Sequence, residues 1–159
     1  KNFFFLIKFA TKFNFMEDER FMRLALQQAN YAAERGEVPI GAVVVVNGKV
    51  IARSHNMTET LTDPTAHAEM QAITMATDAF GGKYLTDATI YVTVEPCPMC
   101  AAALGWAQLG RLVYGASDPK RGYTLYSPNL LHPKTKVSAG ILKEECGAIV
   151  TEFFKNRRG

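Results

Sequence analysis

Two of the three cysteines, Cys97 and Cys100, fall in the stretch VEPCPMC, residues 94–100. A Cys-x-x-Cys pair can clip a metal or work as a redox dithiol, and two thiols are too few to close a zinc site. Pro98 suits the first position of a helix. Both sulfurs then lie on one side of its first turn, where unpaired N–H groups and the helix dipole favour thiolate, the form that binds zinc. A third ligand is offered by His67 in TAHAEM, which Asp63-Pro64-Thr65 places at another helix start. His55 and His132 are the rivals, but neither carries a neighbouring acid on a helix. Glu69 follows His67 by two, about 200° around a helix, so the two would not chelate one ion together and their roles should differ. Three protein ligands with an open fourth position is the pattern of catalytic zinc. Water there would be acidified, and Glu69, folded back from the first turn, could carry its proton.

The elements that must position these groups follow from periodicity and turn chemistry. Phe21, Leu24, Ala25, Ala29 and Ala32 form one helical stripe over 17–35, with acids in the first turn and Gly36 past the end. GAVVVVNGKVIARS reads as two strands joined by an Asn47-Gly48 turn. His67–Ala76 reads as a helix, Thr89–Val94 as a strand running into the cysteines, MCAAALGWAQL as a short helix and RLVYGA as a fourth strand. Residues 117–136 read as a long irregular stretch, the kind of loop that is usually functional or mobile. Leu142, Glu145, Cys146, Ile149, Val150, Phe153 and Phe154 trace a closing helix. Helices alternating with strands indicate an α/β layered domain.

At 159 residues and 48% hydrophobic content, the chain is long enough to bury a core without disulfides. An odd cysteine count argues against a secreted disulfide framework and for a reducing compartment, by default the cytoplasm. Residues 1–15, KNFFFLIKFATKFNF, hold six of the ten Phe and no acid, and read as a non-native or upstream extension with Met16 as the natural start. Lys8 and Lys12 interrupt the apolar run a signal peptide needs, and no stretch reaches the roughly 20 apolar residues of a membrane span. Removing Lys1, Lys8 and Lys12 from the 18 basic residues leaves 15 against 15 acids, so global charge says nothing about nucleic acid. The remaining positive groups are local: Lys120, Arg121, Lys134 and Lys136, then Lys155, Arg157 and Arg158, for which a solvated face is the plain reading.

His-Ala-Glu followed, thirty residues on from the histidine, by Pro-Cys-Pro-Met-Cys is the known H-x-E…P-C-x-x-C signature of zinc nucleobase deaminases. From Met16 to Gly159 the chain further resembles the bacterial tRNA adenosine deaminases of the TadA type. The resemblance is carried by EVPIGAVVV (37–45), DPTAHAEMQAI (63–73), DATIYVTVEPCPMCAAAL (87–104), VYGASDPKRG (113–122), GILKEEC (140–146) and FFKNRR (153–158). It implies a three-layer α/β/α, cytidine deaminase-like fold with a mixed sheet of about five strands and helices on both faces, formed by one domain over 16–159. It also implies zinc-dependent hydrolysis of the wobble adenosine of an arginine tRNA anticodon to inosine, with ammonia released. His67, Cys97 and Cys100 would hold one zinc per subunit, and Glu69 would shuttle protons. Asn56, Val38, Pro39, Ile40 and Ala68 would meet the flipped base. Lys120, Arg121, Phe153, Phe154, Arg157 and Arg158 would face RNA through charge and stacking. A homodimer is implied, for which the run Ala101–Ala103 offers a close helix approach, and no membrane partner. The chain departs from the family pattern at YTLYSPNLLHP (123–133), where a Gly-Gly-Ser-Leu-like loop is common, so RNA contacts are not carried over there. PCPMC with Trp106 also resembles guanine deaminases, whose usual Gly-Pro-Phe-Gly differs from Val-Pro-Ile-Gly at 38–41. A noncatalytic zinc-stabilised RNA-binding module is the third alternative, and it would leave Glu69 idle.

Overall fold

The computed structural model describes residues 2–158, apart from the side chains of Phe9, Thr11 and Phe13; Lys1 and Gly159, the outer ends of the two segments read from the sequence, lie outside the described residues. Strands Gly41–Val46 (β1) and Lys49–His55 (β2) pair antiparallel across Asn47-Gly48. Both turn residues have positive φ, 50° and 73°, as a type I′ turn requires. The other edge of β1 pairs antiparallel with Ala88–Val94 (β3). Arg111–Ala116 (β4) and Lys136–Ala139 (β5) then add in parallel, giving the order β2-β1-β3-β4-β5.

Strand side chains alternate between faces, so one sheet feeds two cores. Ala42, Val44, Ile90, Val92 and Leu112 face a layer containing Ala68–Phe80 (α2) and Pro98–Trp106 (α3), which contribute Ala68, Ala72, Ala76, Ala101 and Leu104. Val43, Val45, Tyr91 and Val113 face the opposite layer, where Asn2–Glu34 (α1) inserts Phe21, Met22 and Ala25 and Lys143–Arg158 (α4) inserts Cys146. This is the three-layer α/β/α fold with a mixed sheet.

A polar tie crosses the second layer. Arg111 donates two hydrogen bonds to the Asp18 carboxylate, each 2.7 Å, and Tyr91 donates a third at 2.8 Å. Arg111 also donates to Ser138 Oγ at 3.0 Å, so α1, β3, β4 and β5 are joined through one ion pair. Burial and the Asp18 carboxylate push the Tyr91 phenol well above its ordinary value.

The elements differ from the sequence reading in three places. First, α1 begins at Asn2 instead of residue 17, because nothing between Asn2 and Glu34 is Pro or Gly and so nothing stops the helix. Its first turns carry Phe3, Phe4, Phe5 and Leu6 at 61–73% exposure, whereas core packing starts at Phe21. Second, residues 117–136 contain two short 3-10 turns, Tyr123–Leu125 and Pro128–Leu130, moored by buried Tyr123 and Leu131. Third, β5 was not among the strands read from periodicity. Among the described residues no helix is long and apolar enough to cross a membrane.

Candidate active site

The two helices of the first layer start side by side, and each start carries a ligand type. His67 is the N-cap of α2 and Cys97 the N-cap of α3, with nearly the same extended backbone, φ −70° and ψ 157° or 167°. Neither side chain makes a capping hydrogen bond, so each is available to the space between the helices. One turn into α3, Cys100 is fully buried; two residues into α2, Glu69 is 4% exposed.

The donor atoms of His67, Cys97 and Cys100 all lie within 4.8 Å of one another. His67 Nδ1 is 3.6 Å from Cys97 Sγ and 3.5 Å from Cys100 Sγ. With Zn–N near 2.05 Å and Zn–S near 2.3 Å, tetrahedral ligation puts N and S roughly 3.6 Å apart. The donor set therefore fits zinc in chemistry and in spacing. Neither rival joins this donor group among the described residues: His55 Nδ1 lies 3.5 Å from Gln28 Oε1 while its buried Nε2 has no partner there, and His132 Nδ1 accepts from the Lys134 amide.

The electrostatics fit the same ion. Hydrogen bonding from Cys100, helped by His67, draws the Cys97 thiol down to about 4. Hydrogen bonding to Cys97, with burial, pushes the Cys100 thiol strongly up. Two adjacent thiolates repel, so the second proton leaves readily only if a cation sits between the sulfurs. Glu69 Oε2 accepts from Cys100 Sγ at 3.5 Å, which puts a carboxyl against the metal end without making it part of the ligand triangle. Burial pushes that carboxyl up, toward a group that can give a proton as well as take one.

The walls are fixed by backbone bonds. Asn56 Nδ2 donates to Val38 O at 3.4 Å, the Thr58 N–H donates to Asn56 Oδ1 at 3.3 Å, and the Met57 N–H donates to Ala66 O at 2.9 Å. Ser54 Oγ donates to Ala68 O at 2.6 Å. Asn56, Val38 and Ala68 are thus drawn to the start of α2, with Asn56, Pro39 and Ala68 buried and Val38 half-buried. Lys120 and Arg121 stand exposed on the loop after β4. Phe153, Phe154, Arg157 and Arg158 lie on the last turns of α4, where Arg157 covers the Phe153 ring at 5.1 Å. No hydrogen bond joins these four to the metal end among the described residues.

Two acids that sequence reasoning passed over shape the site. Glu37, fully buried, accepts from the Glu59 N–H at 2.7 Å and the Thr60 N–H at 3.3 Å, holding the loop that leads to His67. Glu95, 5% exposed, does the same for the loop after β4. Neither carries a periodic signal in the sequence: Glu37 lies in the connection between α1 and β1, and Glu95 directly follows β3.

The chain is similar to several known proteins. The family model described as MafB19-like deaminase matches residues 16–158. A tRNA-specific adenosine deaminase of Agrobacterium fabrum is 48% identical over 147 residues, covering 89% of this chain and 97% of the relative. One of Bacillus subtilis is 46% identical, covering 89% and 91%. A structure solved in a study of A-to-I editing by tRNA:A34 deaminases at the wobble position of transfer RNA superposes with a TM-score of 0.76 at 48% identity. That match covers 82% of this chain and 98% of the solved one.

Proposed function

The chain belongs to the MafB19-like deaminases and, among them, to the tRNA-specific adenosine deaminases, and from that premise we propose that it converts the wobble adenosine of an arginine tRNA anticodon to inosine. The observation that carries the reading is the His67, Cys97, Cys100 triangle with Glu69 hydrogen-bonded at its edge.

In this reading His67 Nδ1 and the two sulfurs hold one zinc. When bound, zinc supplies a Lewis acid that makes water a nucleophile at neutral pH. Glu69 takes a proton from the attacking water and delivers it to the departing amino group, so that a C6–O bond forms, the C6–N bond breaks and ammonia leaves. Its burial beside Cys100 keeps the carboxyl within reach of both steps. Asn56 orients the base edge, Val38 and Pro39 wall the flipped ring, and the backbone at Ala68 meets it at the helix start. Lys120, Arg121, Arg157 and Arg158 steer phosphates, while Phe153 and Phe154 offer stacking faces.

Residues 16–159 form the deaminase domain, with 1–15 an extension to it; the match of the family model over 16–158 supports the division. The enzyme works in the cytoplasm as a homodimer. Support for the dimer comes from α3, where Trp106 is 85% exposed and half-buried Ala102 lines a cleft with Tyr84, Leu130 and Pro133, whereas Ala101 packs inward. Sedimentation giving a monomer at working concentration removes that part of the proposal.

The test is incubation of zinc-loaded protein with an arginine anticodon stem-loop bearing adenosine at the wobble position, followed by digestion and mass spectrometry. Inosine at that position is expected. No inosine together with conversion of free guanine overturns the reading in favour of a free-base deaminase; tight RNA binding without ammonia release leaves a noncatalytic module.

A further inference from the structure

The irregular loop after β4, where the sequence departs from the family pattern, is stitched to the residues just before Cys97 by one buried acid. Glu95 Oε2 accepts from the Thr124 N–H at 3.1 Å and from Thr124 Oγ1 at 2.8 Å, and Oε1 lies 3.4 Å from the Asp118 N–H. The neighbouring peptide groups join in: the Glu95 N–H donates to Ala116 O at 2.8 Å and the Tyr123 N–H to Pro96 O at 2.9 Å. Asp118 Oδ1 in turn accepts from the Lys120 and Arg121 amides at 2.9 and 3.0 Å, which fixes the turn carrying both cations. Gly122 lies so close that any Cβ there would strike the Glu95 carboxylate and the Asp118 carbonyl.

A carboxylate 5% exposed is costly to bury, and this one is compensated by amide and hydroxyl protons instead of a cation. Its donors come from the loop, from Asp118 and Thr124, so removing the acid leaves them without an acceptor and releases the loop. The other end of the same short segment is the ligand Cys97, two residues away. We propose that Glu95 is a positioning residue for RNA: it presents the 118–126 loop, with exposed Lys120, Arg121, Leu125 and Tyr126, as a preformed rim beside the metal end. The side chain touches neither metal nor base. It fixes where the phosphate-binding charges stand relative to the reacting centre. Preformation lowers the ordering cost of binding, so the effect falls on KM. The proposal rests on the RNA reading of the preceding subsection for its substrate, but the loop's order does not.

The experiment compares zinc-loaded wild type, Glu95→Ala and Glu95→Gln in two assays. Hydrogen–deuterium exchange without RNA is expected to rise about tenfold or more over 118–125 in Glu95→Ala while 98–104 stays protected, with Glu95→Gln between because it keeps one acceptor oxygen. On the stem-loop, KM is expected to rise roughly tenfold in Glu95→Ala with kcat within about twofold of wild type. Unchanged exchange over 118–125, or loss of zinc with a matching fall in kcat, overturns the proposal and makes Glu95 a support of the metal end. Should Glu95→Ala fail to fold, Thr124→Val removes a single donor, and a local rise in exchange with a smaller rise in KM is expected. Unchanged exchange in that variant overturns the idea equally. Wild type that forms no inosine while its loop exchange still responds to Glu95 sinks the RNA function, and with it the RNA role of Glu95, leaving only its hold on the loop.

Discussion

His67, Glu69, Cys97 and Cys100 sit on two helix starts against a five-stranded sheet, whereas Lys120, Arg121, Arg157 and Arg158 stand in water on a loop and a helix end. The inner group is placed by two helix starts, burial and backbone bonds that leave little room for adjustment. The outer group is placed by one buried carboxylate and by the end of α4. Inner residues therefore act by geometry, and their loss should be nearly all-or-none. Outer residues, on the proposed function, act by charge, and their loss should be graded and sensitive to salt.

The sharpest break is at the ligand triangle. Cys97→Ala is expected to lose bound zinc and all measurable deamination, and to abolish the difference in Tm between zinc-loaded and chelator-treated protein, read by metal analysis and thermal melts. A smaller but still large effect separates ligand from proton carrier: Glu69→Gln should cut kcat by about 10³-fold, within the usual range for removing a general acid–base, while folding normally. At the rim, Arg157→Ala with Arg158→Ala should raise KM by several-fold to about tenfold. The same pair should flatten the slope of log KM against log salt by about 1 to 2, with kcat unchanged. The smallest effect lies on the far face and serves as a control for both. Tyr91 holds its proton above the ordinary value of 10.0 in the folded chain, so the folded state binds protons that the unfolded state has already released. Its stabilisation is complete below about pH 10 and is lost as pH climbs past that value toward the folded one. Tyr123, pushed up to about 12 by burial, adds to the same loss. Tyr91→Phe should flatten the alkaline limb of the stability curve in urea titrations and cost about 1 kcal/mol at neutral pH through the lost bond to Asp18, without altering deamination.

How much of this was legible in the sequence follows from how local each signal is. The metal end was readable because its parts sit at helix starts, and Asp63-Pro64 and Pro98 announce helix starts in a few residues. The β1–β2 hairpin was readable for the same reason, through Asn47-Gly48. By contrast, β5 is four residues long, mostly exposed, and follows a proline-containing stretch, so it has no alternation to detect. It is a strand because β4 offers an edge, which is tertiary information. Composition marks the first half of α1 as an extension, yet composition does not end a helix when no breaker intervenes. Glu37 and Glu95 were missed because a single buried acid has no period; only its burial and its donors reveal it. The proposed RNA rim rests on family resemblance, since exposed charges alone carry no pattern that distinguishes a binding face from a solvated one.

The most direct test of the central claim, that a three-ligand metal end and a separate proton-carrying carboxyl act as one centre, is zinc content and inosine yield measured on the same preparation of Glu69→Gln. One zinc per chain with inosine formation reduced about 10³-fold is the expected result. A Glu69→Gln protein that edits at the wild-type rate, or one that has lost its zinc, would contradict it.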